Sequence, residues 1–150
     1  MRKVNLFDCE LDWHDERGSI ANRGTKLGPK LGAQKIGAGL YDIEEGFWVW
    51  PYHYHHGVEE WLLVITGEPT LRTPEGERLL APGDTVCFPS GTAGAHAVRG
   101  PGRILMIGAR RTPSVVVYPD SDKLGTRPAH DGDRLNFPRS AAVGYWEGEA

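Results

Sequence analysis

Between Gly46 and Gly67 the chain runs GFWVWPYHYHHGVEEWLLVITG, and no other stretch restricts the fold as strongly. His53, His55, His56, Glu59 and Glu60 crowd into eight residues there. In an extended strand, successive side chains point to opposite faces. His53 and His55 therefore face one way, and Tyr52 and Tyr54 the other. Gly57 turns the chain, and EEWLLVI, rich in strand formers, follows. Glu60, Leu62 and Val64 share one face of this second strand; Glu59, Trp61, Leu63 and Ile65 share the other. A charged residue opening a buried strand is unfavourable unless it is paired or coordinated. Two imidazoles and a carboxylate on facing strands suit a divalent metal, the plainer alternative being a solvated turn that happens to be rich in histidine.

The rest of the chain supplies further strands at short spacing. Ile36 to Ile43 reads as one, and Phe47 to His55 as another, interrupted at Pro51 by an edge or a bulge. Glu60 to Thr66 reads as a strand buried on both faces. Thr70 to Thr73 and Glu77 to Leu80 form a hairpin about Pro74-Glu75-Gly76. Val86 to Pro89, His96 to Arg99, Arg103 to Arg111 and the SVVVYP run complete the set. Such a series argues for an all-β sandwich or closed jelly roll. Residues 1–36 read as an irregular N-terminal arm packed over the barrel, with one short strand near Val4 to Phe7. Residues 37–118 are the barrel, and residues 119–150 a polar C-terminal loop and tail whose Tyr145-Trp146 pair is expected to dock on something apolar. All three belong to one domain, which 150 residues can furnish with a sizeable core.

Several function classes fall away. A net charge of −3 gives no reason to expect a nucleic acid or an anionic membrane as partner, and Arg110-Arg111 is too short for a basic patch. No apolar run approaches a membrane span, and MRKVNLFDCELDW lacks a signal-peptide core, so a cytoplasmic protein is expected. Cys9 and Cys87 are then reduced thiols, with Cys87 a small buried hydrophobe. There is no G-x-S-x-G elbow for a nucleophilic serine. Gly37-Ala38-Gly39 lacks the third glycine and following helix of a dinucleotide site. The aspartates at 120, 122, 131 and 133 lack EF-hand spacing. His14 and His130 read as surface residues.

His53-x-His55, four residues, Glu60, six residues, Gly67 resembles the first motif of the cupin superfamily. GDTVCFPSG, from Gly83 through Pro89 to Gly91, with His96 beyond it, resembles the second. The likeness spans roughly Gly37 to Arg110 and is that of a small single-domain cupin. This sequence places six residues rather than five between Gly46 and His53, and four rather than two between Gly91 and His96. Gly100 stands where the second motif often closes on asparagine. The glycine spacing favours Glu60 over Glu59, and alternation turns His56 away from His55.

The resemblance implies a double-stranded β-helix holding one divalent transition metal on His53, His55, Glu60 and His96, with iron, manganese, nickel, zinc and copper all suited to the donor set. It implies a small-molecule ligand inside the barrel and a dioxygenase- or isomerase-type activity, the alternative being a binding or sensing module without turnover. An acid–base group is expected from Glu68 to Arg72, from Arg99 to Arg103, or from the tail near Tyr145 and Glu147. The row Trp48, Trp50, Tyr52, Tyr54 lies opposite the histidines by alternation and, with Trp61, would leave an apolar outer face needing a cover. A homodimer shielding Trp48, Trp50, Tyr54 and Trp61 is the expected arrangement.

Overall fold

The computed structural model describes residues 1–109, 113–128 and 131–149. His130 and the Arg110-Arg111 pair lie outside them. The strands, in chain order, are β1 (Trp13–Arg17), β2 (Ile20–Lys26), β3 (Ile36–Ile43), β4 (Tyr54–His56), β5 (Glu60–Gly67), β6 (Thr70–Thr73), β7 (Gly76–Leu79), β8 (Thr85–Phe88), β9 (Ala97–Arg99), β10 (Gly102–Ala109), β11 (Ser114–Tyr118), β12 (Lys123–Arg127) and β13 (Asn136–Pro138). A five-residue helix, Leu27–Leu31, links β2 to β3.

Three antiparallel sheets wrap the interior. The first runs β1-β2-β3-β10-β5-β8, the second β13-β12-β11-β4, and the third β7-β6-β9. Alternation explains the layering. Along β5, Leu62 and Val64 point inward; along β10, Ile104 and Met106 do the same, meeting Ile43, Val49, Leu71, Leu80, Phe88 and Val98 in one buried cluster. Leu63, Ile65, Leu105 and Ile107 point outward into a second cluster with Leu27 and Leu40. Val4, Leu6, Cys9 and Leu11 of the N-terminal segment cover that cluster. Arg103 fastens the cover. Its Nη1 donates to the Leu6 and Phe7 carbonyl oxygens at 3.1 and 2.6 Å, while Nε and Nη2 fork onto Asp42 at 2.6 and 2.8 Å.

The turn chemistry follows the sequence. Gly67 closes β5 at φ 81°, where a Cβ would stand 2.6 Å from the Gly102 Cα, so only glycine fits. In the turn before β8, the Asp84 carboxylate accepts a hydrogen bond from the Ala81 N–H at 2.8 Å.

Some expectations need correction. Val4 to Phe7 forms no strand, and residues 13–26 are not irregular: β1 and β2 extend the first sheet. The run Phe47 to His55 pairs continuously only from Tyr54; before it, Trp48 and His53 make isolated bridges, as Pro51 withholds a donor. Trp50 is not on the outer face: its ring packs edge-on against Tyr41 at 4.6 Å and joins the inner cluster. Trp61 remains 47% exposed, so β5 is not buried throughout on both faces. Cys87 is exposed rather than buried, and both cysteines are free. The polar segment after residue 119 is not wholly loop, because β12 pairs onto β11 and β13 onto β12. Tyr145 and Trp146 pack edge-on against each other but stand 84% and 77% exposed, rather than buried against an apolar surface among the described residues.

Candidate metal centre

His53 and His96 arrive from distant parts of the chain and are locked together through the backbone. The His53 N–H donates to the His96 carbonyl at 3.1 Å, and the His96 N–H to the His53 carbonyl at 2.8 Å. The lengthened second motif is accommodated by one 3-10 turn, Thr92–Gly94, that takes up the additional residues before His96. Gly94 is essential to that turn, since a Cβ would collide with the Pro89 carbonyl oxygen. His55 sits in β4, held from below by Gly91 N–H and Ser90 Oγ, which donate to its carbonyl at 2.8 and 3.2 Å. Glu60 opens β5 opposite Phe88 of β8. The Phe88 ring lies flat on the His96 imidazole, centroids 3.7 Å apart and 6° from parallel, which fixes the plane of that imidazole.

The donor atoms converge on Glu60. Its Oε2 lies 3.2 Å from His55 Nε2, 3.7 Å from His96 Nε2 and 4.0 Å from His53 Nε2. His53, Glu60 and His96 each bring one donor atom within 4.8 Å of the others. The tautomers are set from behind. The Nδ1–H of His53 donates to the Pro51 carbonyl and that of His96 to the Gly94 carbonyl, both at 2.9 Å, so each Nε2 presents a bare lone pair. His96 Nε2, Glu60 Oε2 and His55 Nδ1 are buried without a hydrogen-bond partner. Buried polar atoms left unpaired are unfavourable. The unpartnered His96 Nε2 and Glu60 Oε2, with the Nε2 atoms of His53 and His55 facing the same carboxylate oxygen, fit a divalent transition metal.

The electrostatics agree. Burial, reinforced by His96 and His55, pushes the His53 imidazole down to about 3, so it is neutral and ready to ligate at neutral pH. Burial likewise lowers His96. For Glu60 burial acts upward, but His55, His96 and His53 outweigh it and hold the carboxyl at about 2. Glu60 therefore remains an anion beside the neutral His53 imidazole.

His53, His55 and Glu60 line a cavity of about 620 Å³; His96, 1% exposed, lies behind its wall. Tyr41, Trp50, Pro51, Val58, Met106 and Tyr118 form much of the remaining surface. His56 is exposed, and Glu59 accepts a hydrogen bond from Trp61 Nε1 at 3.0 Å on the outer side of β5. The anticipated acid–base segments are engaged elsewhere: Arg72 with Asp120, Arg99 with Glu77, and Arg103 with Asp42. Sequence reasoning missed Tyr41 and Tyr118. The alternation of Gly39, Tyr41 and Ile43 in β3, and of Ser114, Val116 and Tyr118 in β11, carried the signal for both.

A jelly-roll barrel with an interior His/Glu/His cluster defines a class of small β-proteins able to hold a metal. Residues 39–108 match the family model of the cupin domain, so this stretch of the chain is similar to the cupins. Solved structures of similar shape include a candidate sugar phosphate isomerase from Acidithiobacillus ferrooxidans, at 28% identity and TM-score 0.80, covering 93% of this chain and 91% of that one. A cupin-superfamily sugar phosphate isomerase from Silicibacter pomeroyi superposes at TM-score 0.79 with 22% identity, covering 97% and 98% of the two chains. The polyketide cyclase RemF from Streptomyces resistomycificus does so at TM-score 0.60 with 24% identity, over 76% and 83%. The latter two share the fold. A comparison with curated proteins yields no match. Among the described residues, no helix is long and apolar enough to cross a membrane.

Proposed function

We propose that this chain is a metal-dependent isomerase of a small sugar phosphate, with the metal held by His53, His55, Glu60 and His96. The carrying observation is the pair of unpartnered donor atoms, Glu60 Oε2 at the wall of a cavity large enough for such a molecule and His96 Nε2 just behind it. Likeness to the candidate sugar phosphate isomerase over 93% of this chain supports the substrate class. A divalent metal on these ligands would supply Lewis-acid polarisation of substrate carbonyl and hydroxyl oxygens.

The chain's own residues do the rest. The Nδ1–H donors of His53 and His96 keep both Nε2 atoms aimed inward. Burial, then the Glu60 charge, pushes the Tyr41 phenol up to about 12, so its O–H donates to a substrate oxygen rather than taking a proton. Tyr118, whose ring centroid lies 6.0 Å from that of His53, is a second tyrosine on the cavity wall. Trp50, Val58 and Met106 exclude water from the reacting carbons. Aldose–ketose exchange moves one proton between adjacent carbons and needs no oxidant. Two free thiols fit a reducing, cytoplasmic setting.

The test is proton NMR in deuterium oxide of the metal-loaded protein with aldose and ketose phosphates. The expected result is solvent deuterium at the carbon beside the carbonyl, lost in Glu60→Gln. No exchange with any metal, together with a small molecule that co-purifies, would favour the binding or sensing module. Substrate-dependent oxygen uptake with iron(II) would favour a dioxygenase.

A further inference from the structure

The charged groups on the cavity wall are distributed unevenly. Glu60 is the one carboxylate among its described lining residues, and it is committed to the histidines. Lys26, Arg127 and Arg134 also line the cavity, on a chain whose net charge is −3. Lys26 ends β2 opposite Gly39 of β3, itself part of the wall. Arg127 ends β12 opposite Ser114 of β11. Two sheets thus present a cation each toward the same space.

Register gives the span. Val116 pairs with His55, and Ser114 lies two residues further along β11, on the same face. Arg127 is one strand beyond Ser114, so standard strand spacings put its Cα about 12 Å from that of His55. An arginine side chain reaching back leaves room for a short substrate between guanidinium and imidazole. Arg127 Nε is buried without a hydrogen-bond partner. Among the described residues neither Lys26 nor Arg127 forms an ion pair, whereas Arg72, Arg99 and Arg103 each hold a carboxylate. A buried guanidinium donor with no acceptor calls for an anion, and its planar fork matches a phosphate.

We infer that Lys26 and Arg127 form a phosphomonoester subsite across the cavity from the histidine–glutamate cluster. The assignment rests on the isomerase reading only for which end of the substrate lies inward. Both residues fall outside 39–108, the stretch that matches the cupin domain, so this subsite is built by the flanking segments of this chain.

The probe is inorganic phosphate, titrated into the full chain after chelation, so that no metal competes for it, and followed by phosphorus NMR and calorimetry. Expected is saturable binding, weakened at least tenfold in Arg127→Gln and in Lys26→Met, partly restored in Arg127→Lys, and unchanged in Arg78→Gln on the exposed hairpin. Urea midpoints near that of the parent certify that the variants fold. Phosphate affinity unchanged in Arg127→Gln and Lys26→Met would overturn the subsite, as would acetate binding as tightly as phosphate. If phosphate behaves as expected but no deuterium exchange occurs, the isomerase reading fails and the subsite stands. If exchange occurs with KM for the phosphorylated sugar unmoved by Arg127→Gln, the reverse holds.

Discussion

Each histidine of the cage is chemically distinct because its second nitrogen meets a different neighbour. His53 and His96 spend Nδ1–H on backbone carbonyls, whereas His55 Nδ1 has no partner. His53→Ala, His96→Ala and Glu60→Gln are each expected to abolish stoichiometric metal by elemental analysis while the far-ultraviolet circular dichroism persists. His56→Ala and Glu59→Ala should retain full metal, since both groups point outward. Full occupancy in His53→Ala and His96→Ala would remove the assignment. The pH dependence of the chelated protein follows from depressed groups, the imidazoles of His53 and His96 and the carboxyl of Glu60. Folded His53 stays neutral down to about 3, while the unfolded chain protonates from 6.5, so stability present above 6.5 is lost as pH falls through that window, at up to about 1.4 kcal/mol per unit. Glu60 acts in the same direction lower down: stability present above 4.5 is lost towards 2. Urea unfolding at pH 7, 5.5 and 4 should show the decline, and His53→Ala should flatten its upper part.

At the level of elements, the 3-10 turn Thr92–Gly94 decides where His96 lands. Gly94→Ala forces a methyl into the Pro89 carbonyl, and should cost roughly 1–3 kcal/mol in urea melts and weaken metal retention together. Loss of stability with metal affinity intact would show that the turn does not position His96. What the sequence made legible here was alternation. Glu60, Leu62 and Val64 fall on one face of β5 as read, and β3 runs from Ile36 to Ile43 as read, because both strands are hydrophobic in period with the pleat. β12 and β13 were hidden because KLGTR and NFP carry no apolar alternation; they exist through pairing, β12 to β11 and β13 to β12. Trp50 was assigned outward because Pro51 breaks the strand in which parity would have held. Lys26 and Arg127 are separated by 100 residues, and only the closed barrel puts them in one cavity.

On the scale of the whole molecule, the cover of the outer face is shared. The N-terminal segment shields Leu63, Ile65, Leu105 and Ile107, and Trp48 meets Ile20 and the Arg99 guanidinium, 5.1 Å from its ring. Trp61, Val143, Tyr145 and Trp146 stay exposed. We therefore expect a homodimer that uses this remainder, seen by light scattering at micromolar concentration, with Trp61→Glu or removal of residues 142–150 shifting it to monomer. A monomeric parent would refute the dimer.

Lys26 shares the first sheet with Glu60 and Arg127 the second with His55, yet the Lys26–Arg127 pair lies outside residues 39–108 and the histidine–glutamate cluster within them. A substitution in the pair changes no residue of the cluster. A lineage carrying this barrel can therefore exchange the anion it recognises by drift in its first 30 and last 30 or so residues, while the reactive centre is inherited unchanged. Its ligand range is free to diversify faster than its chemistry.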